Sequence, residues 1–215
     1  MLNLYYFTFN PLQENTYVLF DDTRECVIFD PGCYEKHEQQ RLHTYIASNG
    51  LNVVKIVNTH CHVDHVLGNH FCKETFKAPL LIPRLEEAPL RSVPLYAPMY
   101  GFNAYAPAEP DGYLEGREKL TFGNTSLDML FVPGHSVGHL AFYCKEGSFC
   151  IAGDVLFNGS IGRTDLPGGN FDTLIHSIHT QLFTLPDDTT VYCGHGPYTK
   201  IGDEKRFNPF CAIKQ

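Results

Sequence analysis

The densest chemistry in the chain lies in seven consecutive residues, Thr59-His60-Cys61-His62-Val63-Asp64-His65. Four of them carry imidazole or carboxylate groups, the ligands that suit zinc, iron or manganese. The segment follows a strand-like run, and a loop there can aim alternate residues into one pocket. His60 and His62 can then share one cation, while Asp64 and His65 serve another as the chain turns into the next helix. Zinc takes about four ligands, with water in one position at a catalytic centre. One segment therefore cannot complete two sites. Three later segments offer the missing ligands: Val132-Pro133-Gly134-His135, Ile151-Ala152-Gly153-Asp154 and Val191-Tyr192-Cys193-Gly194-His195. Each comes just after a strand-like run, and a glycine beside each candidate permits a tight turn and close backbone approach.

Other residues have plainer readings. His139 precedes a strand and is expected to support a ligand through a hydrogen bond, as groups behind metal ligands do. His70 falls on the helix after the motif and is read as a surface or packing residue. Arg163 and Asp165 read either as an ion pair holding a loop or, for Arg163, as a planar fork for a substrate carboxylate. No Gly-x-Ser-x-Gly elbow offers a serine nucleophile. The eight cysteines show no CxxC pairing and several sit in apolar runs. They read as buried free thiols of a cytoplasmic protein, not as a disulfide framework or a cysteine zinc site.

These residues need elements to position them. Apolar, β-rich runs at 5–9, 16–20 and 26–29 are each closed by turn chemistry. A helix is expected over 35–48, stopped by Asn49-Gly50. A buried strand at 53–57 runs into Asn58-Thr59-His60. A helix over 66–77 and a short strand at 79–83 follow. Prolines and tyrosines break the pattern in an insertion at about 85–118, where a short helix near 84–92 and a long ordered loop are expected; such loops are often functional. Strands at 127–131, 140–144, 149–152 and 190–193 and a helix over 171–183 complete the second half. Strand runs with interspersed helices, in two similar halves, suggest an α/β architecture of sheets packed face to face with helices outside.

The chain has 215 residues, 43% hydrophobic and 19% charged, which fits one globular domain over 1–215. Its formal net charge is −8. No Lys/Arg cluster supplies the basic face a nucleic-acid binder needs. The start shows no basic n-region or cleavage site, and no apolar run has the length of a membrane span. No nucleic-acid or membrane partner is expected, and nothing in the sequence sets an oligomeric state.

With these segments in view, the chain resembles the metallo-β-lactamase fold superfamily, from its early strands to Gly194-His195-Gly196-Pro197. The resemblance implies an αββα sandwich of two mixed β-sheets. It also implies that His60, His62 and His135 hold one metal, Asp64, His65 and His195 a second, and Asp154 bridges both. Two divalent ions are expected, zinc first, with iron or manganese as alternatives. Within the superfamily the chain resembles glyoxalase II-like hydrolases. Asp154 in Ala-Gly-Asp-Val-Leu-Phe looks like their bridging aspartate, which β-lactamases lack. The stretches Gly159-Ser-Ile-Gly-Arg163-Thr-Asp165-Leu-Pro-Gly-Gly169 and Gly194-His-Gly-Pro-Tyr-Thr-Lys-Ile-Gly-Asp-Glu204 fit the short members of that group. The extra helical domain that helps typical glyoxalase II bind glutathione has no counterpart before Gln215. The implied reaction is cleavage of a thioester or related ester by a metal-bridging hydroxide, with Asp64 and Asp154 as the catalytic carboxylates and Arg163 as a substrate contact. The alternative is a mononuclear iron enzyme like the persulfide dioxygenases, which share this fold.

Overall fold

The computed structural model describes residues 2–213 and divides the chain into two compact units. One runs to Leu114 and includes Thr121–Thr125; the other comprises Glu115–Leu120 and the chain from Ser126 on.

The first unit opens with three antiparallel strands, β1 (Asn3–Phe9), β2 (Glu14–Phe20) and β3 (Glu25–Phe29). Helix α1 (Lys36–Ser48) then carries the chain to β4 (Asn52–Val57), which pairs parallel with β3. Its start is fixed by a capping box between Glu35 and Glu38, so the helix begins one residue later than the pattern suggests. Leu42 and Ile46 of α1 are buried in a core with Cys26, Ile28, Val53 and Ile56. Beyond β4 the chain makes α2 (Val63–Val66), α3 (Asn69–Phe76) and β5 (Leu80–Pro83). The helix expected over 66–77 is α3, which starts three residues later; the short α2 before it, across Gly68, was not foreseen.

The insertion is more ordered than expected. A 3-10 turn (Arg84–Glu86) leads into α4 (Glu87–Tyr96), another 3-10 turn (Ala97–Tyr100) follows, and β6 (Gly112–Leu114) pairs parallel with β5. Pro89 lies in the first turn of α4, where no amide hydrogen is required. The return to the sheet is pinned by Asp111, whose carboxylate accepts from Leu80 N at 2.8 Å and faces Lys73 Nζ at 2.8 Å. The sheet order is β1-β2-β3-β4-β5-β6.

After β7 (Lys119–Phe122) the chain forms β8 (Thr125–Phe131), β9 (Leu140–Cys144) and β10 (Phe149–Gly153), neighbours in antiparallel order. A small hairpin, β11 (Leu156–Phe157) and β12 (Ser160–Ile161), precedes α5 (Phe171–Thr180). Strand β13 (Thr190–Cys193) pairs parallel with β10, and β14 (Thr199–Lys200) leads into α6 (Ile201–Phe207). The second sheet runs β14-β13-β10-β9-β8-β7. Leu174 and Ile178 of α5 are buried with Val132, Ala152 and Val191. Both sheets are mixed, as expected. Among the described residues no helix is long and apolar enough to cross a membrane.

Candidate metal centre

In the first unit the motif begins where β4 ends. Asn58, Thr59 and His60 are fully buried there. What orients them comes from the end of β3. Asp30 takes a left-handed backbone conformation, φ 47°, which Asp tolerates better than most residues. The turn sends its carboxylate to Thr59: Oδ1 accepts from Thr59 N at 2.6 Å and Oδ2 from Thr59 Oγ1 at 2.7 Å. Asp30 Oδ2 also lies 3.1 Å from His65 Nδ1.

This network fixes where the His60 ring proton sits. An ionised carboxylate only accepts, so the Thr59 hydroxyl proton goes to Asp30. Thr59 Oγ1, 3.0 Å from His60 Nδ1, must then accept the His60 Nδ1 proton. The His60 lone pair therefore lies on Nε2. His65 Nδ1 meets Asp30 Oδ2 as a close electrostatic contact without hydrogen-bond geometry. Asp30, His60 and His65 each offer a donor atom within 4.8 Å of the others. Asp30, however, is already committed to Thr59 and His65, so we read it as the carboxylate that orients the ligands and not as a ligand itself. His62 caps the start of α2 in extended conformation, its ring 4.8 Å from that of His60. Asp64 Oδ2 lies 3.7 Å from His65 Nε2. The loop's far side is held by Asn10 Nδ2 on Asp64 O at 3.2 Å and by Asn58 Nδ2 on His65 O at 3.0 Å. Cys61 is fully buried in the apolar core of this unit, and burial, with the charges of Glu86 and Asp30, pushes its thiol well above the ordinary range. It is not a nucleophile at neutral pH.

In the second unit three strand ends contribute. His135 follows β8 through Gly134, whose φ of 128° suits only glycine and where a Cβ would run into the Leu174 backbone. His135 Nδ1 donates to Arg163 O at 2.8 Å, so its lone pair too is on Nε2. Asp154 follows β10, packed so closely on Gly162 that a Cβ there would strike its carbonyl oxygen. His195 follows β13, where Gly194 N donates to Gly153 O at 2.8 Å. Asp154 Oδ2 lies 3.6 Å from His135 Nε2 and 3.5 Å from His195 Nε2. His139 is different: its Nε2 accepts from Asp154 N at 3.1 Å, which uses up the lone pair and makes it a support for Asp154. The Arg163 guanidinium makes a two-point pair with Asp165 at 2.7 Å for each contact and holds that exposed carboxyl down to about 2.

The donor chemistry fits a cation. His135 Nε2 and His195 Nε2 both lie close to Asp154 Oδ2, an imidazole and carboxylate donor set of the kind that suits a divalent ion. Two ligands bound at about 2.1 Å around a tetrahedral ion stand about 3.4 Å apart, close to these separations. The spacings within each unit, between 3.5 and 3.7 Å, match that requirement.

The sequence reading missed Asp30, treating Asp30-Pro31-Gly32 as turn chemistry alone, and missed Glu86, whose Oε2 accepts from Cys61 N at 3.0 Å. It also missed that Arg163 acts on His135 through its main-chain carbonyl.

The metallo-beta-lactamase superfamily signature matches residues 9–195, and the chain belongs to that superfamily. Among curated relatives, a probable metallo-hydrolase of Bacillus subtilis, YqgX, is 40% identical over 201 residues, covering 93% of each chain. The hydroxyacylglutathione hydrolase GloC of Haemophilus influenzae is 38% identical, covering 94% of each. The human mitochondrial persulfide dioxygenase is further off, 30% identical over 90% of this chain and 70% of its own. Of solved structures, the BLEG-1 B3 metallo-beta-lactamase superposes with a TM-score of 0.88 at 35% identity, covering 98% of this chain and 100% of the other. TTHA1623 in a di-iron-bound form gives 0.86 at 37%, covering 96% and 99%. The fold is the metallo-β-lactamase fold, and a metal-dependent hydrolase is the class these likenesses define.

Proposed function

We propose that the chain acts as one domain over 1–215 and is a binuclear hydrolase of small hydroxyacyl thioesters or related esters. The observation that carries this reading is the spacing of the donor atoms: Asp64 Oδ2 lies 3.7 Å from His65 Nε2, and Asp154 Oδ2 lies 3.6 Å from His135 Nε2 and 3.5 Å from His195 Nε2, as two ligands of one ion would. In this reading His60, His62 and His135 hold one divalent ion, Asp64, His65 and His195 another, and Asp154 touches both. Zinc is the first candidate; the di-iron form of TTHA1623 keeps iron in the comparison. A divalent ion held there lowers the pKa of water from 15.7 to about 7 and polarises an acyl oxygen.

The chain's own residues have the remaining work. Asp64 accepts the proton given up by the attacking water and orients its lone pair. Asp154, tethered to His139 through its amide, keeps its carboxylate between His135 and His195. Cys61, the thiol within the histidine motif, is buried, and burial pushes it up, which disfavours it as a nucleophile. Arg163 offers a guanidinium to a substrate carboxylate if Asp165 yields it. The relation to GloC supports a thioester over other acyl compounds. No nucleic-acid or membrane partner is proposed.

The test is metal analysis on freshly purified protein, then a panel of hydroxyacyl thioesters, simple esters and a β-lactam, each with added zinc or iron. The expected result is two metal ions per chain and thioester cleavage that a chelator abolishes and metal restores. One iron per chain with oxygen uptake and sulfite release from a persulfide would sink the proposal. Preferential β-lactam cleavage would overturn the substrate class.

A further inference from the structure

His60 lies between two amides that each donate to a buried carboxylate. Upstream, Thr59 N donates to Asp30 Oδ1 at 2.6 Å. Downstream, Cys61 N donates to Glu86 Oε2 at 3.0 Å. Glu86 is fully buried, at the end of the 3-10 turn that opens the insertion, 25 residues further along the chain. Carboxylates are almost never buried to this extent without partners, and the Cys61 amide is one of them. The Cys61 nitrogen belongs to the planar peptide that includes the His60 Cα. Holding that nitrogen fixes one side of His60 directly and sets the course of the chain toward His62.

We propose that Glu86 is a positioning residue for metal capture: it clamps the peptide between His60 and Cys61 so that the His60 and His62 rings are presented together. The proposal rests on the metallohydrolase reading. It gives the insertion a second task. Its first turn anchors the histidine loop, whatever the rest of it does toward substrate.

Cobalt(II) titration of the metal-free, full-length protein tests this, followed by the visible absorption of the bound ion and by competition with a chelator. Glu86→Ala should weaken cobalt affinity by about 10- to 100-fold, the usual effect of removing a group behind a metal ligand. Glu86→Gln keeps an acceptor oxygen of the same reach and should bind within about threefold of the parent. If Glu86→Ala does not fold, Glu86→Asp carries the same prediction, because losing one methylene withdraws the carboxylate from the amide. Cobalt binding as tight as the parent in Glu86→Ala or Glu86→Asp would overturn the proposal, even if the metal-free protein melted earlier. An equal loss in Glu86→Gln and Glu86→Ala would also overturn it, by assigning the effect to charge. A parent protein that takes up no cobalt would instead bring down the metallohydrolase reading, and this proposal with it.

Discussion

The two units arrive at ligand geometry by different means. In the first, the candidate ligands are packed into one segment and their rings are oriented by side chains from elsewhere: Asp30 from the end of β3 and, for the peptide, Glu86 from the insertion. In the second, the candidate ligands are scattered over three strand ends; a main-chain carbonyl, Arg163 O, holds His135, and the His139 ring accepts from the Asp154 amide. A dense local motif is short of independent supports, because its neighbours are themselves ligands. Ligands at separate strand ends inherit their placement from the sheet.

The comparison can be broken at several strengths. The largest effect should come from His60→Ala and Asp154→Ala, one in each set, which should reduce turnover to background with the fold retained by circular dichroism. Turnover surviving in both would refute the ligand set. Next, Asp30→Ala should weaken metal binding by about 10- to 100-fold, since it frees both Thr59 and His65. Arg163→Ala should leave metal content unchanged, because the carbonyl that holds His135 stays in place. If Arg163→Ala loses metal as Asp30→Ala does, the contrast between side-chain and main-chain support is wrong. Gly134→Ala, at φ 128° against the Leu174 backbone, should cost about 1–3 kcal/mol, read as a lower thermal midpoint.

The smallest effect concerns pH. Burial alone would raise the Asp21 carboxyl, but bonds from Thr23, Asn124 and Thr125 outweigh it and hold the group down to about 2. Its folded value is depressed, so its contribution is present above the ordinary Asp range of about 4 and is lost as pH falls through about 2. The thermal midpoint should fall across that window, and Asp21→Asn should flatten the slope. An unchanged slope in that variant would remove Asp21 from the account.

Much of this was legible in the sequence. The seven candidate residues stood out because a histidine-rich turn after a strand, and glycine-flanked His or Asp after three more strands, are chemical patterns that local reading detects. The strands at 140–144 and 190–193 were placed as found, since short apolar runs with turn residues at both ends carry their own boundaries. What escaped were long-range bonds. Nothing near Glu86 announces that its carboxylate meets an amide 25 residues back. Asp30 looks like a turn residue because it is one; its partnership with Thr59 and His65 depends on strand pairing. The strand β6 was hidden in the insertion because three residues carry too little periodicity to be read.

The Asp30–Thr59 contact also bears on the order of assembly. Asp30 ends β3 and Thr59 lies just past β4, and these strands run parallel with α1 between them. The bond that directs the His60 and His65 rings can close only after that crossover has docked. A nascent chain bearing the same histidines would therefore lack their aim, and selective uptake of an ion should wait until the crossover is complete.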